Sequence, residues 1–574
     1  MARPIRGARF LAETLHGYGV THLFYVEAML RQTLLALEQL GVRRILTHSE
    51  KAAAYMADGY ARAGRKVGVC MAQSVGAANL ASGLQEPRLG RAPVLAMTGR
   101  AALLAEGRHA YQEVPHAPLF GAVCKSTAPV TTLEQLPFLL RQCFREATSG
   151  KPGPVHLDLL GISGQDIEMA ETGVTPLVEA SYARIPAHRP TPDPSLVRAA
   201  AALLGKAKRP VIVAGGGVAA SDAGPEVVAL AERLAIPVAT SLNGKASVPE
   251  IHPQNLGVMG RYSRRCANQV VSESDLVLFV GSGTGELVTS AWTVPRAGTP
   301  VVQIDIDPAE LGRSYPTEIG LAGDARVTLR MLIEETSPRP AGAWSAHAQE
   351  MVRQWRAEMA PSRASDALPI RPERLCREIE TWLPSDAILV ADAGYAAIWS
   401  STLIGLSQPT QQFLRCAGSL GWAFPAALGA KCGCPNRPVV CFTGDGGFWY
   451  HLSELETARR CGIPVIAVVN NNAALGQCAG SIRKLYAGRP GKPEEMYAFS
   501  PVSFARIAEE MGCLGIRVET PDRIAPALRA ALSSGRPAVV DVVTDLGCRP
   551  SDPWTSCPSH DLLPVPHRRK DRHE

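Results

Sequence analysis

The chain has 574 residues, of which 46% are hydrophobic and 20% charged, and its formal net charge is +6. That length exceeds one hydrophobic core and points to about three domains at roughly 100–200 residues each. Apolar runs such as residues 465–469 fall far short of the roughly 20 residues of a spanning helix, which excludes a transmembrane segment, and the charge is too dispersed to imply nucleic acid.

The amino terminus passes from Arg3 and Arg6 straight into Phe10, Leu11 and Leu15. This is an amphipathic helix pattern, without the apolar block and cleavage site of a secretory signal, so a cytoplasmic location is expected. Fourteen cysteines stand mostly singly among apolar neighbours, as at Cys70, Cys441 and Cys461, which suits buried thiols in a reducing compartment. The tight pair Cys432 and Cys434 lacks the second pair or nearby histidines of a metal site.

The first block, residues 1–185, alternates strand-like runs (44–46, 67–71, 94–97, 155–159) with helical stretches such as 51–63. That alternation is the mark of a parallel sheet covered by helices on both faces. A Pro-rich joint at 185–194 ends it, and a second block, 195–335, repeats the pattern with strands at 210–214, 275–280 and 300–306. A joint at 337–343 carries Pro338 and Pro340, and a third block, 345–548, has strands at 387–391, 438–443, 464–470 and 538–543. Three doubly wound α/β domains are the expected fold class, and the first and third could be copies of one topology. Residues 549–574 are rich in Pro, Ser and charge and are expected to be irregular; their cluster His567, Arg568, Arg569, Lys570 reads as a solvated tail.

The most informative segment is Thr443-Gly444-Asp445-Gly446-Gly447-Phe448, between a strand and a helix containing Glu454, Leu455, Glu456 and Thr457. Strand, glycine turn and helix start make an anion cradle, because glycine lets the main chain approach closely and its N–H groups face phosphate oxygens. The next strand ends in Asn470-Asn471-Asn472-Ala473-Ala474, and adjacent parallel strands bring their carboxyl ends together. Magnesium takes hard oxygen ligands and shares them with phosphates. Asp445, Asn472 and the carbonyl of Ala474 can supply the protein's share. Either segment alone reads as a tight turn or a strand-end loop.

Taken together, Gly-Asp-Gly, the Glu-Leu-Glu-Thr-Ala helix, an apolar strand and Asn-Asn, with 472 lying 27 residues after 445, resemble the signature of thiamine diphosphate enzymes. The first block adds Thr47-His48-Ser49-Glu50-Lys51-Ala52-Ala53-Ala54, which resembles the segment of that family whose glutamate activates the cofactor. A buried acid there would share a proton with the aminopyrimidine ring and so help the thiazolium lose its own. Almost the whole chain is similar, in order, to acetolactate synthases, benzoylformate decarboxylases and their relatives. The resemblance implies a pyrimidine-binding domain, a central domain and a diphosphate-binding domain. It implies thiamine diphosphate and Mg2+ as cofactors, a 2-oxo acid or aldehyde as substrate, and C–C bond cleavage or formation beside a carbonyl. Glu50 and the magnesium site meet across a subunit interface in this family, so a homodimer or homotetramer is implied. Tyr111-Gln112-Glu113 resembles the Phe-Gln-Glu whose glutamine faces the reaction centre, and Gly418-Ser419-Leu420-Gly421 resembles the segment whose apolar residue wedges the cofactor into a bent shape. The cofactor contacts implied are Glu50, Gly76, Asn79, Gly394, Tyr395, Ser419, Leu420, Gly444, Asp445, Gly446, Gly447, Asn472, Leu475 and Gly476, with Glu50, Gln112 and Glu27 at the reaction centre.

Several positions depart from the family pattern. Phe24-Tyr25-Val26-Glu27-Ala28-Met29 replaces a Gly-x-Pro-Gly loop, so Glu27 brings a carboxylate that disfavours an acidic substrate and suits an amine, hydroxyl or water. Gln73-Ser74-Val75-Gly76 replaces Gly-Pro-Gly before Asn79, and Asp392-Ala393-Gly394-Tyr395 stands where Gly-Gln-His is common. A donor other than pyruvate is therefore open, with His48 and Lys125 as further polar candidates near the pocket. In the central block, Gly281-Ser282-Gly283-Thr284-Gly285 and Asp305 suit an adenine nucleotide, but the Arg-Phe-Asp-Asp-Arg segment that accompanies flavin is absent, so FAD is not favoured. The alternative readings are a nucleotide-binding protein of the same fold without thiamine chemistry, and a dehydrogenase.

Overall fold

The computed structural model describes residues 4–555. It forms two compact units: one of residues up to Arg189 together with Pro361–Pro550, the other of Pro190–Ala360 with the described residues from Ser551 on. Most of the expected irregular tail, with the basic cluster at 567–570, lies outside the described residues.

The first unit holds two six-stranded parallel sheets. Across the first the strands run Arg43–Leu46, His22–Tyr25, Gly68–Ala72, Val94–Arg100, Val155–Leu160 and Thr127–Val130; across the second, Gln412–Arg415, Ile388–Ala391, Val439–Gly444, Ile466–Asn471, Ala538–Val543 and Leu514–Val518. Numbered by sequence within each sheet, both follow the order 2-1-3-4-6-5, so the two are copies of one topology. The second unit carries a third parallel sheet in the order 3-2-1-4-5-6, the doubly wound dinucleotide-binding arrangement. The strands that the sequence left unmarked include sheet edges, Thr127–Val130, Asn255–Val258, Ile319–Ala322, Gln412–Arg415 and Leu514–Val518. Edge strands are covered less completely and need no continuous apolar run.

One hydrophobic core runs through both sheets of the first unit, and its seam is the crossing of helices Glu50–Gly64 and Ala423–Gly433. The first begins where Ser49, in an extended conformation, accepts the N–H of Ala52 on its hydroxyl. Alanines and glycines allow near backbone-to-backbone contact. A Cβ on Gly59 would stand 1.9 Å from the carbonyl oxygen of Ala426, and one on Gly429 would stand 1.8 Å from that of Met56. Larger residues at either position would force the helices, and the two sheets behind them, apart.

In open sheets of these orders ligands collect where the strand order reverses, beyond the carboxyl ends of strands one and three. In the second sheet that point lies between Ile388–Ala391 and Val439–Gly444, so residues 392–395 and 445–447 face each other there. In the first it lies between His22–Tyr25 and Gly68–Ala72, which brings together the loops bearing Glu27 and Ser74.

Candidate active site

Asp445 opens a helical turn, Asp445–Phe448, directly from the strand, with Gly444 as its N-cap. The expected glycine turn before the helix is therefore corrected: Gly446 and Gly447 lie inside the first turn, and both have ordinary negative φ. Their role is close approach. A Cβ on Gly446 would come within 2.6 Å of the Leu475 side chain, and one on Gly447 within 2.6 Å of Asp392 Oδ2.

Residues 472–476 close the other wall. The N–H of Ala474 donates to Asp445 Oδ2 at 2.8 Å, which ties the two strand ends together. Phe499 and Tyr497 pin the loop from outside, through hydrogen bonds between the Phe499 N–H and the Ala473 carbonyl and between the Leu475 N–H and the Tyr497 carbonyl. Burial pushes the Asp445 carboxyl up to about 6, against the opposing pull of surrounding backbone N–H groups. Asn472 Oδ1 is buried with no hydrogen-bond partner. The Ala474 carbonyl accepts only the N–H of Gly476 at 2.9 Å among the described backbone bonds, and a carbonyl has a second lone pair. A buried carboxylate beside an orphaned amide oxygen costs free energy unless a cation completes them. The donor set is all oxygen, as magnesium requires.

Gly394 lies at φ 70 and ψ −147, which glycine alone adopts readily, and starts the helix Tyr395–Leu403. A Cβ on Gly476 would sit 3.2 Å from Asn472 Nδ2 and 3.5 Å from the Tyr395 ring, so Gly476, Asn472 and Tyr395 share one corner. Asp392, fully buried, binds this corner to its neighbours. Its Oδ1 accepts the N–H of Ala393 at 2.8 Å and of Gly421 at 3.0 Å, and its Oδ2 accepts the Thr443 hydroxyl at 2.9 Å.

The segment carrying Ser419 and Leu420 is held by a residue that sequence reasoning passed over. Glu86, wholly buried on the helix Gly76–Gly90, accepts the successive N–H groups of Ala417, Gly418 and Ser419 at 2.5, 3.0 and 2.6 Å. Gln85 adds a hydrogen bond to the Ser419 hydroxyl at 3.2 Å. Leu420 itself is half-buried.

Glu50 is the first residue of its helix. Its Oε2 accepts the Asn79 amide at 3.2 Å, and Gly76 lies close beneath it, since a Cβ there would lie 2.5 Å from Glu50 Oε1 and would make that side chain shift. Burial was expected for Glu50, but within one chain it is only half-buried. His48, expected near the pocket, is spent on structure: its N–H donates to Glu454 at 3.0 Å and its ring pairs with Glu456 at 2.9 Å. Lys125 likewise turns to the end of the helix Leu136–Thr148, donating to the carbonyls of Glu146, Ser149 and Lys151. Glu27 is exposed and pairs with Arg31 at 2.5 Å, four residues on, which lowers its carboxyl below the usual range. Gln112 lies in a left-handed conformation, φ 58, with its Oε1 buried and without a partner.

In the central sheet, the switch point falls between Pro210–Ala214 and Leu276–Val280. Gly281 (φ 58) and Gly217 are packed so closely there that a Cβ on either would lie under 3 Å from the other's Cα. Asp305 ends the neighbouring strand and accepts the N–H of Asp307 at 3.0 Å.

Comparison with known proteins gives three family matches in chain order: the thiamine pyrophosphate enzyme N-terminal TPP binding domain over residues 5–119, its central domain over 197–332, and its C-terminal TPP binding domain over 392–542. A probable acetolactate synthase large subunit of Methanocaldococcus jannaschii is 32% identical over 556 residues, covering 94% of this chain and 92% of that protein. The acetolactate synthase large subunit of Corynebacterium glutamicum is 32% identical over 518 residues, covering 88% of this chain and 80% of its own. Acetolactate synthase isozyme 2 large subunit of Escherichia coli K12 is 30% identical over 547 residues, covering 94% and 96%.

Proposed function

Because the chain belongs to the thiamine pyrophosphate enzyme family, we propose that it is a carboligase resembling acetolactate synthase, which decarboxylates a 2-oxo acid and joins the remaining acyl carbon to a second carbonyl. The observation that carries this reading is the buried, partnerless Asn472 Oδ1 beside the Asp445 carboxylate at a sheet switch point. Asp445, Asn472 and the Ala474 carbonyl would hold Mg2+, and the first-turn N–H groups of Gly446 and Gly447 would receive the diphosphate. Gly444, Leu475, Gly476, Gly394, Tyr395 and Ser419 form the surrounding walls. When bound, thiamine diphosphate supplies a carbon nucleophile at C2 of its thiazolium and an electron sink for the carboxylate that leaves.

The chain's own side chains do the rest. Glu50 would present Oε1, the oxygen left open once Asn79 has engaged Oε2, to the aminopyrimidine as its acid–base partner. Leu420 would bear on the cofactor from a loop that Glu86 keeps in place. Gln112 offers its amide to the substrate, and Glu27 edges the same end of the first sheet. Glu50 gains its missing cover from a second copy of the chain, in a homodimer or homotetramer. The apolar residues left exposed around the Gln112 loop, Leu104 at 89%, Tyr111 at 74% and Val75 at 51%, support that assembly, since monomers rarely leave such groups clustered in water. No helix of the described residues is long and apolar enough to cross a membrane.

The experiment is incubation of the purified protein with thiamine diphosphate, Mg2+ and a panel of 2-oxo acids and aldehydes, with products weighed by mass spectrometry. Acyloin products support the reading. Aldehyde products alone restrict it to decarboxylation. Thiamine diphosphate binding that ignores Mg2+, with no turnover, sinks it in favour of a nucleotide-binding role.

A further inference from the structure

Behind the Gln112 loop lies a buried cluster that the proposed function does not use: Thr98, His116, His156 and Asp158. One ligand-type atom from each of His116, His156 and Asp158 falls within 4.8 Å of the others. The centre of the group is already taken by Thr98 Oγ1, which stands 3.2 Å from His116 Nδ1, 2.6 Å from His156 Nε2 and 2.7 Å from Asp158 Oδ1. A hydroxyl in that place makes the cluster a proton network rather than a cation cage.

The protons can be counted. His116 Nε2 lies 3.1 Å from the Ser74 carbonyl, which can only accept, so Nε2 carries hydrogen. His116 Nδ1 lies 2.9 Å from Asp158 Oδ1, and a bare nitrogen lone pair facing a carboxylate is repulsive, so that contact needs a proton as well. Thr98 has one hydrogen to give, and it goes to Asp158. His156 stacks on Phe120 at 3.6 Å and has no partner at Nδ1, which suits a neutral ring donating from Nε2 to Thr98; burial pushes it down to about 3. Burial pulls the Asp158 carboxyl upward, but the His116 hydrogen bond, both histidines and the Thr98 hydroxyl outweigh it, and it lies below the usual carboxylate range. The shared proton therefore belongs on His116.

We propose that His116 is a positioning residue: as an imidazolium it donates to Asp158 on one side and to the Ser74 carbonyl on the other, and thereby sets the contact that aims Gln112. That contact is the Ser74 hydroxyl donating to the Gln112 carbonyl at 2.5 Å, the point at which the left-handed loop is tied to the sheet. Ser74 also stands two residues before Gly76, the floor under Glu50, so one clamp serves both candidate groups. The charged and titratable groups facing His116 are Asp158 and His156 on Val155–Leu160 and Arg100 on Val94–Arg100, whose Nε lies 3.8 Å from Asp158 Oδ2. Gln73, Ser74 and Val75 are neutral, and on the neighbouring helix Gly76–Gly90 the carboxylate of Glu86 is committed to residues 417–419. Removing either donor loosens the Gln112 loop.

This proposal rests on the reading of Gln112 as facing substrate, and its test separates the two. In the holoenzyme, H116F is expected to lower kcat for a 2-oxo acid by about tenfold or more, as small misplacements of a positioned group do, with thiamine diphosphate and Mg2+ affinity unchanged. H116Q, which keeps one donor, recovers part of that loss. D158N, which leaves an acceptor but withdraws the negative charge facing His116, also lowers kcat with cofactor affinity unchanged and serves if H116F does not fold. A kcat for H116F or D158N within twofold of wild type, or no recovery in H116Q, overturns the proposal. If the wild type turns over no 2-oxo acid, the functional reading fails while the pair remains testable: 15N NMR of histidine-labelled protein shows two protonated ring nitrogens on His116 at neutral pH, and a single one overturns the assignment.

Discussion

The carboxylate of Glu86 accepts the N–H of Ser419 at 2.6 Å, across 333 residues of sequence, and takes those of Ala417 and Gly418 as well. Three consecutive main-chain donors on one buried anion give the loop before Leu420 a single conformation. E86Q keeps the volume but turns an amide toward donors, so it is expected to cost about 2–4 kcal/mol, the scale of charged hydrogen bonds lost in a buried site. Denaturant unfolding reads the stability, and amide exchange at residues 417–420 reads the loop. An E86Q protein as stable as the wild type, with that loop equally protected, removes the clamp from the account.

E50Q should keep thiamine diphosphate and Mg2+ binding and lose turnover by roughly 10²- to 10⁴-fold, the usual weight of a general acid–base group. The comparison is steady-state kcat against cofactor affinity by calorimetry. Undiminished turnover refutes the role given to Glu50.

N472A and D445N test the metal pair. Each is expected to weaken Mg2+-dependent binding of thiamine diphosphate by at least about tenfold, since one lost ligand of a few leaves the ion under-coordinated. A chelator should reproduce the effect on the wild type and have little further effect on the variants. Cofactor affinity indifferent to all three treatments excludes this metal site.

What the sequence made legible follows from chemistry that is local. Period-two and period-3.6 patterns marked most of the interior strands, though not His22–Tyr25 or Val238–Thr240, and the Glu50–Gly64 helix, and glycine beside aspartate at a strand end marked the Asp445 turn. Even there the reason for Gly446 and Gly447 was not local: they make room for Leu475 and Asp392, which only the folded sheet brings near. Glu86 and the His116–Asp158 pair escaped notice, and Asp392 stood out only as a departure in a motif, because their partners are main-chain groups or side chains far away in sequence. His48 and Lys125 illustrate the opposite error. Their polarity suggested a pocket, but each satisfies structural groups, one at the Glu454–Arg460 helix and the other at a helix carboxyl end.

The loop at Glu27 kept a glycine-like shape after losing its glycines. Ala28 sits at φ 105, where an L side chain is strained by about 1–3 kcal/mol. A28G is therefore expected to raise stability by roughly 1 kcal/mol even after glycine's greater unfolded-state freedom is counted. E27Q removes half of the Glu27–Arg31 pair and frees the guanidinium, so relative kcat/KM should shift toward more acidic 2-oxo acids. An unaltered substrate ranking in E27Q shows that the pair is only a surface contact, and a less stable A28G shows that the loop is not strained.

Asp392 sets a pH dependence whose sign can be worked out. Burial pushes its carboxyl up to about 6, and the N–H groups of Ala393 and Gly421 and the Thr443 hydroxyl only partly oppose this. The unfolded value is near 3.9, so the folded state binds the proton more tightly. Ionised Asp392 therefore costs nothing below about pH 4, costs progressively more as pH rises toward 6, and carries its full penalty above that, on the order of 3 kcal/mol for about two units. Asparagine fits the same site: Oδ1 keeps both N–H donors, while Nδ2 donates to Thr443 Oγ1, whose own proton passes to the Gly444 carbonyl at 3.0 Å. D392N should thus exceed the wild type in denaturant stability by only about 1 kcal/mol near pH 4.5 and by increasingly more up to pH 7, approaching the amount given by that shift. A difference between the two proteins that stays constant from pH 4.5 to 7 shows that Asp392 does not titrate in this range and that its three donors, not burial, govern its charge.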